Sequence, residues 1–444
     1  MLEMIHGKTE KLCEEEMLCI KETSFPAPFL PGLEYNSPAH GTWNIVHTGM
    51  LIPGAHQIYV CAANCNRGVV LTAAEMNAAD RFSSIAIYED DLINGDMEEL
   101  VIEGVTEILR KLPKKPTVVL LFTVCIHHFM GCDLLYIYQT LRERFPEQRF
   151  VDCYMDPIMQ KGGLTPDQKL RTGLYACLEK REKNPRQISI LGNDFATDPD
   201  CEMLSMMRNA GFTVKDITIC RDFEEYLSMA ESGLNISTYP PARVGAEILS
   251  QRLETDHLYL PQCFGYDEID RYLGELAAHL KIKCPDTKPL RQTCEKEFQK
   301  AKKVIGETKI VLDASAAPRL LGMTRQLICH GFRVVRIYAD SFLPEEKEDY
   351  LWLKEHVPDL MVCATIHANM RVFDRGQEEK ILAIGQKAAY FHQTPYFVNM
   401  VEGGGLYGYR GICSLLEMMC EAYGEKKDTK NLVIRKGLGC ESCI

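Results

Sequence analysis

Two pairs of cysteines stand where predicted strands end. Cys61 and Cys65 close the run "IYVCAANC", and Cys125 and Cys132 enclose the turn "IHHFMG" after the apolar run "VVLLFTV". The carboxyl ends of parallel strands share one sheet edge, so these thiols could converge there. Thiolates at such places bind iron–sulfur clusters, and the helix dipole stabilises a thiolate at a helix start. The C-x3-C and C-x6-C spacings fit small buried side chains equally well.

Two adjacent histidines, His127 and His128, lie in the turn between Cys125 and Cys132. Their imidazoles could donate protons to a substrate that is being reduced, or hydrogen-bond to cluster sulfurs. Histidines of a turn that simply face solvent explain the pattern equally well. The sequence therefore leaves both interpretations of the pair open.

A glycine-rich segment, "NMVEGGGLYGYRG" (399–411), separates a predicted strand from a predicted helix. Backbone N–H groups of Gly403, Gly404 and Gly405 could reach an anionic ligand at the helix N-terminus. A tight strand-to-helix turn would need the same glycines, and it is the simpler explanation.

Two further motifs carry little weight. "HGKT" (His6–Thr9) ends like a phosphate-binding loop, but Leu2 stands where that loop requires glycine, so no ATP-binding loop is predicted. "CESC" (Cys440–Cys443) is half a zinc site at most. It could be a redox pair, a supplementary pair of ligands, or neither.

Composition narrows the class of protein. The 444 residues carry a net charge of −12 and no block of lysine or arginine, which argues against nucleic-acid and anionic-membrane partners. The odd count of 19 cysteines and the absence of a signal-like N-terminus predict a cytoplasmic protein without a disulfide framework. The uncharged run 116–132 contains proline, glycine and two histidines, which favours a buried strand and turn over a membrane span.

Strand-like and helix-like segments alternate along the chain, which predicts an α/β protein of three doubly wound (Rossmann-like) domains with largely parallel sheets. Helices ending "MRNAGF" and "LICHGF" stop in the same way, at a glycine followed by a strand. The predicted organisation is an N-terminal extension (1–41), domain I with the thiols (42–165), domain II (166–290), a helical linker plus domain III (291–424), and a tail with the C-x-x-C pair (425–444).

From about residue 42 to 423 the chain resembles the nitrogenase component 1 superfamily. "YVCAANCNRG" is similar to the segment of that family whose cysteine binds a cluster, which implies Cys65 as a ligand. "CIHHFMGCD" is similar to its Cys-x5-Gly-Asp-Asp motif, which implies Cys125 as a ligand. A further family cysteine would fall in "SPAHGTW", which has none, and Cys61 or Cys132 is the substitute that the resemblance suggests.

The motif Gly-Tyr-x-Gly of the family is matched by "GYRG" (408–411), but Tyr407 stands where dinitrogenases have the histidine that holds the molybdenum–iron cofactor. Thr238 or Tyr239 stands near the place of that cofactor's cysteine ligand. The resemblance therefore implies an iron–sulfur cluster, most simply a 4Fe–4S cluster, and no molybdenum–iron cofactor held in the usual way. It also implies two partners: an ATP-hydrolysing P-loop iron protein that donates electrons, and a second component 1-like subunit or a copy of this chain.

Three functions remain open from the sequence. The first is a reductase subunit with cluster ligands Cys61, Cys65, Cys125 and Cys132, proton donors His127 and His128, and an inter-domain cavity for a small or tetrapyrrole-like substrate. Gly403–Gly405 and Tyr407 would border that cavity. The second is a non-catalytic scaffold on which a metallocluster is assembled and handed on. The third is a small-molecule binding protein or transferase whose cysteines serve only packing.

Overall fold

A computed structural model describes residues 16–30, 32, 45–156, 163–192, 194–371 and 380–427. Within them the chain forms three β-sheets that are parallel except at one edge, where β1 (Met17–Cys19) pairs in the antiparallel direction. This confirms the predicted α/β class with largely parallel sheets. Most of the predicted N-terminal extension and of the C-x-x-C tail lies outside the described residues.

The first sheet has the strand order β3-β2-β4-β5. All seven residues of its central strand "VVLLFTV" are buried, as in parallel strands covered on both faces. The strands are β2 (His56–Cys61), β3 (Phe82–Ala86), β4 (Val118–Val124) and β5 (Arg149–Met155). The helices are α1 (Ile45–Thr48), α2 (Ala63–Glu75), α3 (Glu89–Asn94), α4 (Met97–Lys111), α5 (Cys125–Phe129) and α6 (Leu134–Arg144).

The second sheet repeats this winding, in the order β7-β6-β8-β9. The strands are β6 (Asn184–Leu191), β7 (Thr213–Asp216), β8 (Ser232–Ser237) and β9 (Asp256–Tyr259). The helices are α7 (Pro166–Ala176), α8 (Glu202–Asn209), α9 (Phe223–Leu227), α10 (Arg243–Leu253) and α11 (Tyr266–Leu280).

The third sheet has the order β1-β12-β11-β10-β13-β14. Its strands after β1 are β10 (Lys309–Asp313), β11 (Arg333–Tyr338), β12 (Met361–Cys363), β13 (Ile381–Ile384) and β14 (Phe397–Val398). The helices are α12 (Lys288–Ile305), α13 (Leu320–Cys329), α14 (Lys347–His356), α15 (Gln386–His392) and α16 (Gly408–Gly424). The predicted helical linker corresponds to α12.

Short 3-10 helices connect these elements. They are Ile20–Glu22, Gly49–Leu51, Ala79–Arg81, Ile217–Ile219, Ser228–Glu231, Pro240–Ala242, Pro344–Glu346, Ala368–Arg371 and Glu402–Gly405. Within the described ranges, no helix has the length and the apolar composition that crossing a membrane requires.

The two helix ends that look alike in sequence are alike in structure. Gly211 and Gly331 follow α8 and α13 with φ of 79° and 78°, a conformation that glycine adopts without steric cost. The next amides, of Phe212 and Phe332, donate to carbonyls five residues back at 3.1 Å in both cases. The same local chemistry thus turns the chain into β7 and into β11.

Buried side chains of neighbouring sheets pack into shared cores. One apolar cluster joins residues of the second and third sheets, and another joins residues of the first and second. Apart from β1, the strands of the three sheets lie within 56–155, 184–259 and 309–398. The boundaries of the predicted domains stay predictions, because the shared cores cross the segments between the sheets.

Candidate functional site

The first sheet has its topological switch point between β2 and β4, because the chain continues from β2 to β3 on one side and returns to β4 on the other. Ligands of doubly wound sheets bind in the crevice beyond the strand ends at such a point. Cys61 is the last residue of β2, Cys65 lies in the first turn of α2, and Cys125 is the first residue of α5. Three of the four predicted thiol ligands therefore flank this crevice.

Cys65 and Cys125 are the accessible thiols of the crevice. Cys65 is exposed and Cys125 is half-buried. Burial raises the pKa of the Cys65 thiol, and the Cys125 thiol raises it further. The two cysteines that the family motifs single out thus lie on the two helices that begin at this edge of the sheet.

Cys61 and Cys132 have different surroundings. Cys61 is buried, with 1% of its surface exposed, and burial followed by the charge of Cys65 raises its pKa to about 12. Cys132 is half-buried, and burial together with the Glu98 carboxylate raises its pKa. Within the described part of the chain, no three His, Cys, Asp or Glu side chains are grouped so as to hold one metal ion.

His127 is fully buried, so it is not a solvent-facing turn residue. Its Nδ1 lies 3.1 Å from the amide nitrogen and 3.3 Å from the carbonyl oxygen of Val124, so the ring has a backbone partner there in either tautomer. Its Nε2 is buried and has no hydrogen-bond partner among the described residues. Burial lowers the pKa of His127, so the fold favours the neutral ring.

His128 is partly exposed and faces a carboxylate. Its Nε2 lies 3.2 Å from Oδ2 of Asp156, the buried residue that directly follows β5. Nζ of Lys169, on α7, donates to the same oxygen at 3.3 Å. Sequence reasoning missed Asp156 and Lys169. An acidic residue at the end of a predicted parallel strand could have identified Asp156, whereas no feature of the sequence pointed to Lys169.

The glycine-rich segment packs between the second and third sheets. The amides of Glu402 and Gly403 both donate at 2.8 Å, to the carbonyls of Ser315 and Ala316. Gly405 has φ of 74°, and a Cβ atom there would clash with the carbonyl oxygen of Ala196. The segment therefore acts as the tight strand-to-helix turn that was the alternative interpretation.

The anion position at the N-terminus of α16 is occupied by a side chain of the protein. The amides of Tyr409 and Arg410 donate to Oε2 and Oε1 of Glu202, each at 3.0 Å. Tyr407 is buried, and its hydroxyl donates to the carbonyl of Leu260 at 2.9 Å. In this structure Gly403, Gly404, Gly405 and Tyr407 pack against other parts of the protein. Their predicted contacts with a cofactor remain predictions.

A buried charged cluster, missed by sequence reasoning, joins the second sheet to that glycine segment. The Arg171 guanidinium, with no exposed surface, pairs with Asp167 at 2.9 Å and with Asp194 at 2.5 Å. It also lies 4.8 Å from the centre of the Tyr239 ring, and the Tyr239 hydroxyl donates to Oε2 of Glu402 at 2.5 Å. Burial raises the pKa of Glu402 to about 8.

The residues at this cluster do not fit a molybdenum–iron cofactor. Thr238 and Tyr239 stand near the place of its cysteine ligand and Tyr407 at the place of its histidine, and all three are buried. Neither a thiolate nor an imidazole is available from them. The tyrosine hydroxyls are already used in hydrogen bonds within the protein.

Large apolar side chains are exposed on the segments that follow β2, β3 and β4 of the first sheet. Phe129 and Leu135 are 66% and 82% exposed. The full set is Val70, Tyr88, Ile93, Phe129, Met130, Leu135 and Tyr136.

Comparison with known proteins gives the same framework. The family model described as nitrogenase component 1 type oxidoreductase matches residues 46–423. The solved structure "Nitrogenase Cp1 at pH 6.5" superposes with a TM-score of 0.65 at 13% identity, covering 89% of this chain and 94% of that one. "Nitrogenase Cp1 at pH 5" gives 0.58 at 11% identity, covering 92% and 94%. No curated protein matches the sequence.

Proposed function

The chain belongs to the nitrogenase component 1 type oxidoreductase family, and on that premise we propose that it binds an iron–sulfur cluster at the carboxyl edge of its first sheet. Such a cluster would, when bound, carry electrons from an ATP-hydrolysing iron protein to a small or tetrapyrrole-like substrate. One observation carries the proposal: Cys65 and Cys125 lie at the starts of the two helices that flank the switch point.

The donor set suits a cluster better than a single ion. Thiolates bound to different irons of one cluster lie farther apart than the ligands of one ion. Two separated, accessible thiols can therefore supply two of the ligands of a 4Fe–4S cluster. Cys65 is exposed, so its sulfur is accessible to iron and sulfide. Cys61 and Cys132 are the additional ligands in this proposal, and Cys61 has to turn out of the core to serve.

The two histidines supply protons beside the thiols. The buried Nε2 of His127 has no hydrogen-bond partner among the described residues, and a cluster sulfide or a substrate atom would supply one when this nitrogen carries the ring proton. His128 is held by Asp156 and is partly open to solvent, so it can take up a proton from water and pass it inward. A reduction that adds hydrogen to its substrate needs such donors.

A second component 1-like subunit, or a copy of this chain, covers the thiol edge in this proposal. Seven large apolar side chains are exposed on the segments that follow β2, β3 and β4, and exposed apolar residues of this kind mark protein contacts where they cluster. A partner there would also shield the cluster from solvent and provide further ligands.

The test is iron binding by anaerobically purified full-length protein after reconstitution with iron and sulfide. We expect bound iron, and a broad absorbance near about 400 nm that bleaches on reduction. Cys65→Ser and Cys125→Ser should each abolish both signals. Cys153→Ser is the matched control, because Cys153 is a buried core thiol of the same sheet. Iron-free wild-type protein, or equal iron in all variants, would overturn the proposal.

A cluster-assembly scaffold is the second candidate function, and the filled crevice between the second and third sheets favours it. Glu402, Tyr239 and Tyr407 bury their side chains where a reductase would need a cavity. A scaffold releases its cluster to an acceptor apoprotein. A reductase keeps its cluster and consumes reductant when given the iron protein and ATP, so the two assays run in parallel separate the candidates.

A further inference from the structure

Two buried thiols meet outside the candidate site, between α12 and α16. The Sγ atoms of Cys294 and Cys413 lie 3.5 Å apart, although 119 positions separate the residues in the chain. Cys294 has no exposed surface and Cys413 has 7%. Neither residue takes part in the crevice of the first sheet.

The surrounding hydrogen bonds fix the register of the two helices at the thiols. The Tyr409 hydroxyl, one turn before Cys413, donates to Oδ1 of Asp270 at 2.6 Å. Nε of Arg291, one turn before Cys294, donates to that hydroxyl at 3.1 Å. The Cys294 thiol itself also contacts the Tyr409 carbonyl at 3.4 Å. The thiols are therefore held against each other and do not meet by chance side-chain motion.

The distance is short enough for a covalent bond after side-chain rotation. A disulfide has a sulfur–sulfur separation of about 2.05 Å, so the sulfurs need to approach by roughly 1.5 Å. The contact between the thiols lowers the pKa of Cys413, whereas this contact and burial raise the pKa of Cys294. Cys413 is also the more accessible of the two, so it is the thiol that an oxidant reaches first.

We propose that Cys294 and Cys413 form a site of reversible two-electron oxidation by hydroperoxides. The Cys413 sulfur attacks one peroxide oxygen, the O–O bond breaks, and Cys413 becomes a sulfenic acid as a first water leaves. The Cys294 sulfur then attacks the Cys413 sulfur, the S–O bond breaks, and a second water leaves with the Cys294 proton. Two thiols and one hydrogen peroxide give one disulfide and two waters, and a dithiol reductant restores the thiols.

The disulfide would close a long loop. The segment between the two cysteines contains β10 to β14, that is, the third sheet apart from β1. Closure also ties α12 to the helix whose first amides hold Glu202 of α8. Oxidation would therefore fasten the third sheet internally and restrict its movement relative to the second.

The experiment is peptide mapping of the full-length protein, without added iron, after titration with hydrogen peroxide, alkylation of free thiols in denaturant and proteolysis. We expect a linked pair of peptides containing Cys294 and Cys413, two hydrogen atoms lighter than their sum, which disappears after dithiothreitol. Cys413→Ser should abolish it. Cys153→Ser should retain it, because Cys153 is buried but contacts a carbonyl rather than a thiol.

Cys329, which is exposed, serves as the internal measure of oxidant dose. If Cys329 is oxidised while Cys294 and Cys413 both remain fully alkylatable, the proposal is wrong. Separate sulfinic acids on the two residues, with no linked peptide, would overturn it as well. The wild-type result decides even if Cys413→Ser folds poorly, and no outcome depends on whether the chain binds a cluster.

Discussion

The switch points of the first and third sheets lie in sheets with the same parallel winding, but the side chains at their strand ends differ. In the third sheet the buried Asp313 carboxylate, at the end of β10, accepts hydrogen bonds from the amides of Ser315 at 2.9 Å and Ala388 at 2.7 Å and from the Ser315 hydroxyl. In the first sheet an exposed thiol at Cys65 and an unpartnered imidazole nitrogen of His127 occupy the corresponding place. Among the described residues, the third switch point is closed by contacts within the protein, whereas the first is where we propose that a ligand binds.

The strongest test of that contrast is Asp313→Ala. Three buried donors lose their acceptor, so we expect the free energy of unfolding to fall by roughly 2–4 kcal/mol in urea denaturation. Iron binding should persist in the folded fraction. An unfolding free energy equal to that of the wild type would mean that the third switch point is as open as the first.

Glu402→Gln tests the closed crevice between the second and third sheets through pH. Glu402 is buried beside Tyr239, Asp167, Asp194 and Arg171, and its pKa is raised from 4.5 to about 8. Its folded form holds a proton that the unfolded form loses, so its stabilising contribution is complete below pH 4.5 and is lost as pH rises towards 8. In that window wild-type stability should decline by up to about 1.4 kcal/mol per pH unit relative to the variant.

Denaturation midpoints of both proteins at intervals from pH 5 to about pH 8.5 measure that difference. Glu307→Gln is the control, because the Glu307 carboxylate is exposed and its hydrogen bond with Lys302 lowers its pKa, so it titrates below this pH window. Parallel curves for wild type and Glu402→Gln would show that Glu402 is ionised throughout, and the crevice would then be more open to water than its packing suggests.

His127→Leu should change stability little, and any change should be an increase, in contrast to the loss expected for Asp313→Ala. The variant removes a buried ring nitrogen that has no partner among the described residues, so the free energy of unfolding should stay within about 1 kcal/mol of wild type or rise. The loss of the Val124 amide contact limits the gain. A drop comparable to that of Asp313→Ala would mean that His127 is a satisfied core residue. The first switch point would then no longer contain a buried polar atom that lacks a partner.

The smallest effect on stability is expected for Cys65→Ser, within about 0.5 kcal/mol, because the side chain is exposed. In the wild-type apoprotein, the Cys65 thiol should react readily with iodoacetamide, whereas burial should protect the Cys61 thiol. Mass spectrometry of timed alkylation gives both rates. Equal rates would place Cys61 in the crevice with Cys65 and would favour it as a preformed ligand.

Much of the first edge could be predicted from sequence, because its logic is local. A strand that ends, followed by a helix that begins, places its next residues at the sheet edge, and two such units put Cys65 near Cys125. The burial of Cys61 could not be predicted, since β2 is buried on both faces and has no alternation to show where a side chain points. The same limitation applies to His127 in its short helix.

The remaining features depend on distant partners. Glu202 caps a helix more than 200 positions away, and Tyr239 bonds to Glu402 across 163 positions. Local patterns carry no trace of such pairings. The glycines of 403–405 were recognisable as a special segment, but the close approach of Gly405 to the Ala196 carbonyl depends on a distant partner that the sequence does not show.

The short β1 strand has a consequence for solubility. It pairs with β12 through Met17–Cys19, and the amide of Ile20 continues the contact to the carbonyl of Leu360 at 2.8 Å. Without it, the backbone groups of β12 would form an open edge to which strands of other molecules could add. Removal of residues 1–22 should therefore promote aggregation of chains that are otherwise correctly folded, a cost unrelated to any thiol or cluster.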